Sequence, residues 1–324
     1  MSRDITYGQA ICEALAEEME RDKNVFLLGE DIGPYGGNFG VTKGLWQRFG
    51  EWRVKDTPVS ESAIIGCALG AAMTGLRPVA ELMFGDFIFV AMDQIANQVA
   101  KMRYMSGGQV KIPLVIRTTI GGGRSSAAQH SQSIQAYLMH TPGLKVVMPA
   151  TPEDAKGLLK NSIRDDNPVI FLEHKMQYNR KGTVPKEEYT IPFGKAVLRK
   201  EGTDVTVVAT SVCVFLALEA AEILSKEGIQ LEIVDPRTIQ PFDLETVVNS
   251  VMKTKHLVIA DEGNETGGIT AEIGMRIQLE AFDFLDAPIM RVAARDVPIP
   301  FSLPLERYVL PNAQRIIEAV KKIL

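Results

Sequence analysis

Cysteine is scarce in this chain, with three among 324 residues. Cys12, Cys67 and Cys213 lie far apart, with neither a metal-binding spacing nor a disulfide framework. A reducing cytoplasm suits such usage. A surplus of positive charge is also missing. Thirty-five Lys and Arg stand against 40 Asp and Glu, a net charge of −5, so no basic field calls for nucleic acid. The longest uncharged stretches carry Gly, Ser or Thr and fall short of the ~20 apolar residues that cross a bilayer, so no membrane partner is expected. The opening Met-Ser-Arg-Asp runs into an acidic amphipathic pattern, unlike a signal peptide. No strand leads into G-x-G-x-x-G, which argues against a nicotinamide-binding fold. Fixed short repeats and low-complexity tracts are absent.

What is present is alternation. The length suggests about two domains of roughly 150 residues, and a hydrophobic content of 46% is ordinary for globular proteins. Apolar runs predict strands at 25–29, 77–83, 113–117 and 169–172, and 142–149 reads as turn, strand and stop. Helical patterns fall between them, at 6–22, from Glu61 onward, at 87–104 and at 151–165. Ile11, Leu15 and Met19 recur at i, i+4 and i+8, and Thr151 with Asp154 forms a weak capping box. Strands again alternate with helices beyond residue 203, at 205–209, 213–227, 231–234, 257–260, 269–282 and 312–323. Strands alternating with helices make this an α/β chain of two parallel-sheet domains. Between Glu173 and Gly202 the chain turns rich in Lys, Arg and Glu, with Pro185 and Pro192. The expected division is 1–180, a connection over 181–202, and 203–324.

One stretch organises the rest: Asp56-Thr57-Pro58-Val59-Ser60-Glu61, followed by fifteen residues without a charge, Ser62 to Leu76. Pro58 favours an extended approach, and Ser60 is a good cap for a helix beginning at Glu61. Gly66 and Gly70 share a helix face. Each costs about 1 kcal/mol against alanine, which suggests a close contact with another backbone. Glu61 is either a helix-start acid facing water or a buried acid with a task. A second candidate is His130, in a glycine-rich loop after a strand, where active-site groups often sit; a merely exposed histidine is the competing reading. Gly33, Gly36, Gly37 and Gly40 lack the order of a phosphate cradle and read as a plain loop.

Glu61, Gly66 and Gly70 resemble the aminopyrimidine-binding motif of thiamine-diphosphate enzymes. The segments DTPVSESAIIG, GLRPVAEL, AAQHSQS, PGLKVVMPATPEDAKGLL and IRDDNPVIFLEHK extend the likeness over nearly the whole chain. Together they resemble the beta subunit of the decarboxylating first component of 2-oxo acid dehydrogenase complexes, of the pyruvate or acetoin type. The resemblance implies a transketolase-like pyrimidine-binding domain followed by a transketolase-like C-terminal domain. It implies that Glu61 activates the aminopyrimidine, that Met83 and Phe87 pack against that ring, and that His130 assists substrate chemistry and acyl transfer to a lipoyl group. Leu114, Ser162, Ile163, Asp165 and Asn167 match a potassium site of some members.

The implied cofactor is thiamine diphosphate, shared with an alpha subunit. Gly85-Asp86 is followed by Phe87 and does not complete a Gly-Asp-Gly motif, so magnesium is expected mainly on the alpha subunit. The implied partners are that subunit, in a two-alpha, two-beta heterotetramer, and the lipoyl and subunit-binding domains of a dihydrolipoyl acyltransferase. Two other readings are a stand-alone transketolase-like enzyme and a non-catalytic scaffold half. Pyruvate, acetoin and branched-chain 2-oxo acids stay open as substrates, with EHKMQYNRKGTVP leaning towards acetoin.

Overall fold

The computed structural model describes residues 2–324, and the chain forms two compact units. One takes the chain up to Ile120 together with Tyr137–Phe193; the other takes Gly121–Ala136 and Gly194–Leu324.

The first unit contains strands β1 (Ser2–Thr6), β2 (Val25–Gly29), β3 (Val54–Asp56), β4 (Arg77–Leu82), β5 (Val115–Ile120), β6 (Lys145–Val147), β7 (Val169–His174) and β8 (Lys181–Pro185). Its helices are α1 (Tyr7–Arg21), α2 (Leu45–Phe49), α3 (Glu61–Met73), α4 (Ala100–Met105) and α6 (Pro152–Arg164), while the boundary between the units falls inside the short α5 (Gln135–Met139). The sheet runs β6-β7-β5-β4-β2-β3, with every pairing parallel. β5 and β7 are buried at every position, as a parallel sheet covered on both faces requires.

The capping box expected on α6 forms, and α1 carries a second one that was not expected. Thr6 and Gln9 form a reciprocal capping box on α1, and Thr151 and Asp154 form one on α6. Ile11, Leu15 and Met19 face the core, together with Leu27, Val79, Val115, Leu158 and Phe171. The helix expected over 87–104 is instead a 3₁₀ turn (Gly85–Phe89), a π-helical segment (Asp93–Val99) and then α4.

The stretch read as a connection carries two strands. β8 pairs antiparallel with β1 in the first unit, with Ser2 opposite Pro185 and Thr6 opposite Lys181. Only Val184 of β8 is fully buried, so a charge-rich sequence serves a ribbon wetted on one face. The second strand, β9 (Val197–Lys200), belongs to the second unit.

The second unit adds β10 (Val205–Ala209), β11 (Leu231–Asp235), β12 (Thr238–Gln240), β13 (Leu257–Asn264) and β14 (Met290–Ala294), with helices α7 (Cys213–Ser225), α8 (Leu244–Thr254), α9 (Ile269–Ala281), α10 (Leu303–Val309) and α11 (Ala313–Lys321). Its sheet runs β14-β13-β10-β11-β9, parallel except for β9 on β11. Residues 121–136 follow β5 in sequence but belong to this second unit.

Candidate active site

Glu61 opens α3 directly after the extended Thr57-Pro58 segment. Ser60 makes no side-chain cap. Its backbone is used instead: the carbonyl accepts from Ile64 at 2.9 Å and the N–H bonds to the Glu30 carboxylate. Glu61 is only 7% exposed. Among the described residues its carboxylate has no hydrogen-bond or ion-pair partner. Glu30, buried in the loop after β2, also leaves Oε1 without a partner. Burial pushes the Glu30 carboxyl up from the ordinary glutamate value, and the charges of Glu61 and Asp31 add to this; the Ser60 N–H opposes them. Two neighbouring buried acids without cationic partners can hold and release a proton to a nitrogen base.

The glycine face of α3 is only partly packed. A Cβ on Gly66 would come 3.6 Å from Gln94 Oε1, a side chain rather than a backbone, and one on Gly70 would meet nothing within 4 Å.

Met83 and Phe87 are both half-buried and stand at the end of β4 and in the turn that follows. The Met83 carbonyl accepts from the Thr119 hydroxyl at 3.1 Å. Phe87 meets Phe84 edge-on at 5.7 Å, Phe84 meets Phe39 at 5.8 Å, and Phe39 stacks on Tyr178 at 4.9 Å. Beneath them lies a buried ionic cluster. Arg117 donates to Glu81 at 2.7 Å and to both oxygens of Glu173 at 2.7 and 3.0 Å, and Tyr178 Oη donates to Glu173 at 2.7 Å. Burial pushes the Tyr178 phenol well above its ordinary value, and the charge of Glu173 adds to that. The side-chain row Phe87-Phe84-Phe39-Tyr178 is thus fixed from below by a satisfied network.

His130 lies in the second unit, half-buried, in a loop with two left-handed non-glycine residues, Ser125 (φ 53°) and Ala127 (φ 60°). Glu61 belongs to the first unit, so the two residues expected to carry the chemistry stand on different compact bodies.

Leu114, Ser162, Ile163, Asp165 and Asn167 all lie in the first unit. Their oxygens are in use. Arg77 Nη1 donates to the carbonyls of Ile163 at 2.9 Å and Asp165 at 3.2 Å, Val169 N–H donates to the Leu114 carbonyl at 2.9 Å, and Arg103 donates to Asn167 Oδ1 at 2.7 Å. The Asp165 carboxylate is paired with Lys145. Burial opposes its ionisation, but hydrogen bonds from Lys145 and Asn167 outweigh that and hold it below the usual range. Among the described residues no group of three or more His, Cys, Asp or Glu could hold a metal ion.

Residues 3–181 match the transketolase pyrimidine-binding domain and residues 194–316 the transketolase C-terminal domain. The chain is 48% identical to the pyruvate dehydrogenase E1 component subunit beta of Rickettsia felis, over 98% of both chains. It is 47% identical to the acetoin:2,6-dichlorophenolindophenol oxidoreductase subunit beta of Bacillus subtilis, over 100% of this chain and 98% of that one. The chain belongs to the transketolase-like beta subunits of pyruvate and acetoin dehydrogenases. A solved split-gene transketolase, an inactive beta4 tetramer, shares the fold with a TM-score of 0.81 and 25% identity, over 99% of this chain and 98% of that one.

The beta-subunit family uses thiamine diphosphate, and the first unit fits its pyrimidine end. The unpartnered Glu61 carboxylate and the orphaned Glu30 Oε1 offer acceptors for a ring N–H, and the half-buried Met83 and Phe87 offer apolar surface. The partnership of Glu30 with Glu61 escapes sequence reading, as do the roles of Glu262, Glu306 and Asp261 around the His130 loop described below. The only signal for Glu30 was its place at the end of a buried strand, where α/β sheets put ligands.

Proposed function

We propose that this chain is the half of a thiamine-diphosphate-dependent dehydrogenase that activates the aminopyrimidine, acting on a 2-oxo acid or on acetoin and passing the acyl group to a lipoyl group. The observation that carries the reading is Glu61, a buried carboxylate without a protein partner at the head of a helix with no other charge. A helix-start acid facing water would be exposed, and a structural buried acid would be paired.

When bound, the cofactor supplies an acidic carbon that adds to the substrate carbonyl and accommodates the electron pair left when the carbon–carbon bond breaks. Glu61 holds a proton at a pyrimidine ring nitrogen, and its burial keeps water from competing for that bond. Met83 and Phe87 orient the ring by apolar contact, with Phe87 braced by Phe84. His130 passes a proton to a lipoyl sulfur, work suited to an imidazole near neutral pH. An alpha subunit in a two-alpha, two-beta heterotetramer would hold magnesium and the diphosphate, and the lipoyl and subunit-binding domains of an acyltransferase would dock on the assembly. A potassium ion on the 162–167 segment would have to displace the Arg77 guanidinium from the Ile163 and Asp165 carbonyls. The cytoplasm is the proposed location.

The test is Glu61→Gln in the reconstituted heterotetramer. The amide is nearly isosteric, so assembly should be normal. Exchange of the thiazolium carbon's proton for deuterium should slow by about 100-fold or more. Equal exchange rates in mutant and wild type would reduce Glu61 to a helix-start acid.

A further inference from the structure

The loop that carries His130 is held by acids of the second unit. Gly122 N–H donates to Glu262 Oε1 at 2.7 Å, at the end of β13. Gly123 N–H donates to Glu306 Oε1 at 2.8 Å, and Ser125 N–H to Glu306 Oε2 at 3.0 Å. Glu306 sits in α10 and is completely buried. A carboxylate that takes one backbone N–H on each oxygen spans the peptide units between them and fixes their orientation.

The backbone at this place resists its own conformation. Ser125 and Ala127 have left-handed φ angles of 53° and 60°, which cost non-glycine residues free energy and persist only where the surroundings over-determine them. Glu306 supplies that constraint at Ser125. Contact is also close: a Cβ on Gly122 would lie 2.8 Å from Leu310 Cδ1 and 3.2 Å from Glu306 Oε1. The far end of the loop is tied as well. Gln135 Nε2 donates to Asp261 Oδ1 at 2.6 Å, and Asp261 also accepts from the Thr210 hydroxyl at 2.5 Å and from Gly263 N–H at 2.8 Å. Gly121 N–H donates to the Gln132 carbonyl at 3.2 Å and closes the neck. His130 therefore rides on a loop whose two feet are bonded to β13 and whose first limb, at Gly123 and Ser125, is bonded to α10.

We propose that Glu306 is a positioning residue for the reaction: it sets the left-handed turn at 123–127 and thereby the place of the His130 imidazole. The inference rests on the reading of His130 as the group that serves acyl transfer. Glu306 touches neither substrate nor cofactor in this scheme and acts through the loop alone.

A double-mutant cycle tests it. In Glu306→Gln the amide presents an N–H towards one of the two backbone donors, so the Gly123 and Ser125 amides should exchange with solvent at least 10-fold faster in the full chain without cofactor. In the reconstituted heterotetramer, single-turnover acyl transfer to a lipoyl domain should slow by about 100-fold, the scale expected when a reacting group is misplaced by about an ångström. Exchange of the thiazolium proton should stay within about 2-fold of wild type. His130→Ala combined with Glu306→Gln should transfer no more slowly than His130→Ala alone, because both changes remove one contribution. A merely structural Glu306 would lower both readouts and add to His130→Ala. Gly122→Ala, whose methyl would meet Leu310 and Glu306, displaces the same loop without removing a charge and stands in if Glu306→Gln fails to fold. If His130→Ala leaves transfer unchanged, the reading of His130 falls. If His130→Ala slows transfer and neither Glu306→Gln nor Gly122→Ala does, the positioning role falls.

Discussion

At the scale of single residues the first unit keeps two acids, Glu30 and Glu61, in a place that a stability optimum would avoid. Burial and the neighbouring charge hold the Glu30 carboxyl above its ordinary value of 4.5. For an acid whose folded value is raised, the folded state binds the proton more tightly than the unfolded chain. Its contribution is therefore most favourable below the unfolded value and is lost as pH rises through the folded one. Glu30→Gln removes that cost while its oxygen can still accept from the Ser60 N–H. The variant should melt roughly 1–3 °C above wild type at pH 8, and the two should converge below pH 4.5. Scanning calorimetry across that range checks it; a variant melting below wild type at pH 8 would show that the Glu30 charge stabilises the fold. Glu61 was legible from its charge-free surroundings. Glu30 was not, because 31 positions separate the two acids and no local pattern marks which loop returns to a given helix end.

At the scale of elements, what could be read was whatever depends on local chemistry. The capping box on α6 and the apolar stripe of α1 involve residues three or four apart, and each appears as the spacing predicts, whereas the side-chain cap expected at Ser60 does not form. The ribbon of β1 with β8 joins residues about 180 positions apart through backbone bonds, which leave no side-chain signature. The loop at 121–136 was read with the strand before it, whereas its bonds run to β13 and α10.

The seam between α1 and α6 was hidden for another reason: it buries lysines. Lys156 and Lys160 are 2% and 0% exposed, and Glu17 of α1 accepts from both at 2.7 and 2.6 Å. Burial opposes ionisation of Glu17, yet the two lysine hydrogen bonds outweigh it and hold the carboxyl below 4.5. A depressed acid contributes stability above its unfolded value and loses it as pH falls through the folded one. Glu17→Ala leaves Lys156 with Glu13 and Lys160 with Glu188. With 39% of the Glu17 side chain exposed, solvent screening limits the loss to about 1 kcal/mol, or roughly 2–4 °C in Tm at pH 7. The difference should shrink as pH falls below 4.5. A gap that stays constant down to pH 3 would mean that Glu17 acts through packing rather than charge.

At the scale of the whole molecule the site is a half-site by chemistry. The first unit offers an unpartnered acid and two apolar side chains suited to a pyrimidine ring. A diphosphate needs opposite charge, and in magnesium-dependent enzymes the ion reaches it through one or two carboxylates together with the phosphate oxygens. The nearest sequence candidate, Gly85-Asp86, runs into Phe87 inside a tight 3₁₀ turn, with Asp86 only 8% exposed. Purified alone and supplied with thiamine diphosphate, magnesium and either pyruvate or acetoin, the chain should therefore turn over at least about 100-fold more slowly than with an alpha partner carrying a Gly-Asp-Gly motif, the scale of losing one electrostatic clamp. Adding that partner should restore turnover in proportion to the complex formed, followed by reduction of an artificial electron acceptor alongside size-exclusion chromatography. Full activity from the chain by itself would mean that it holds the diphosphate unaided, and would move it towards the stand-alone transketolase-like enzymes. Offering both substrates to the same complex also separates the two relatives' chemistries, since the attacked carbonyl carbon loses carbon dioxide from pyruvate and acetaldehyde from acetoin.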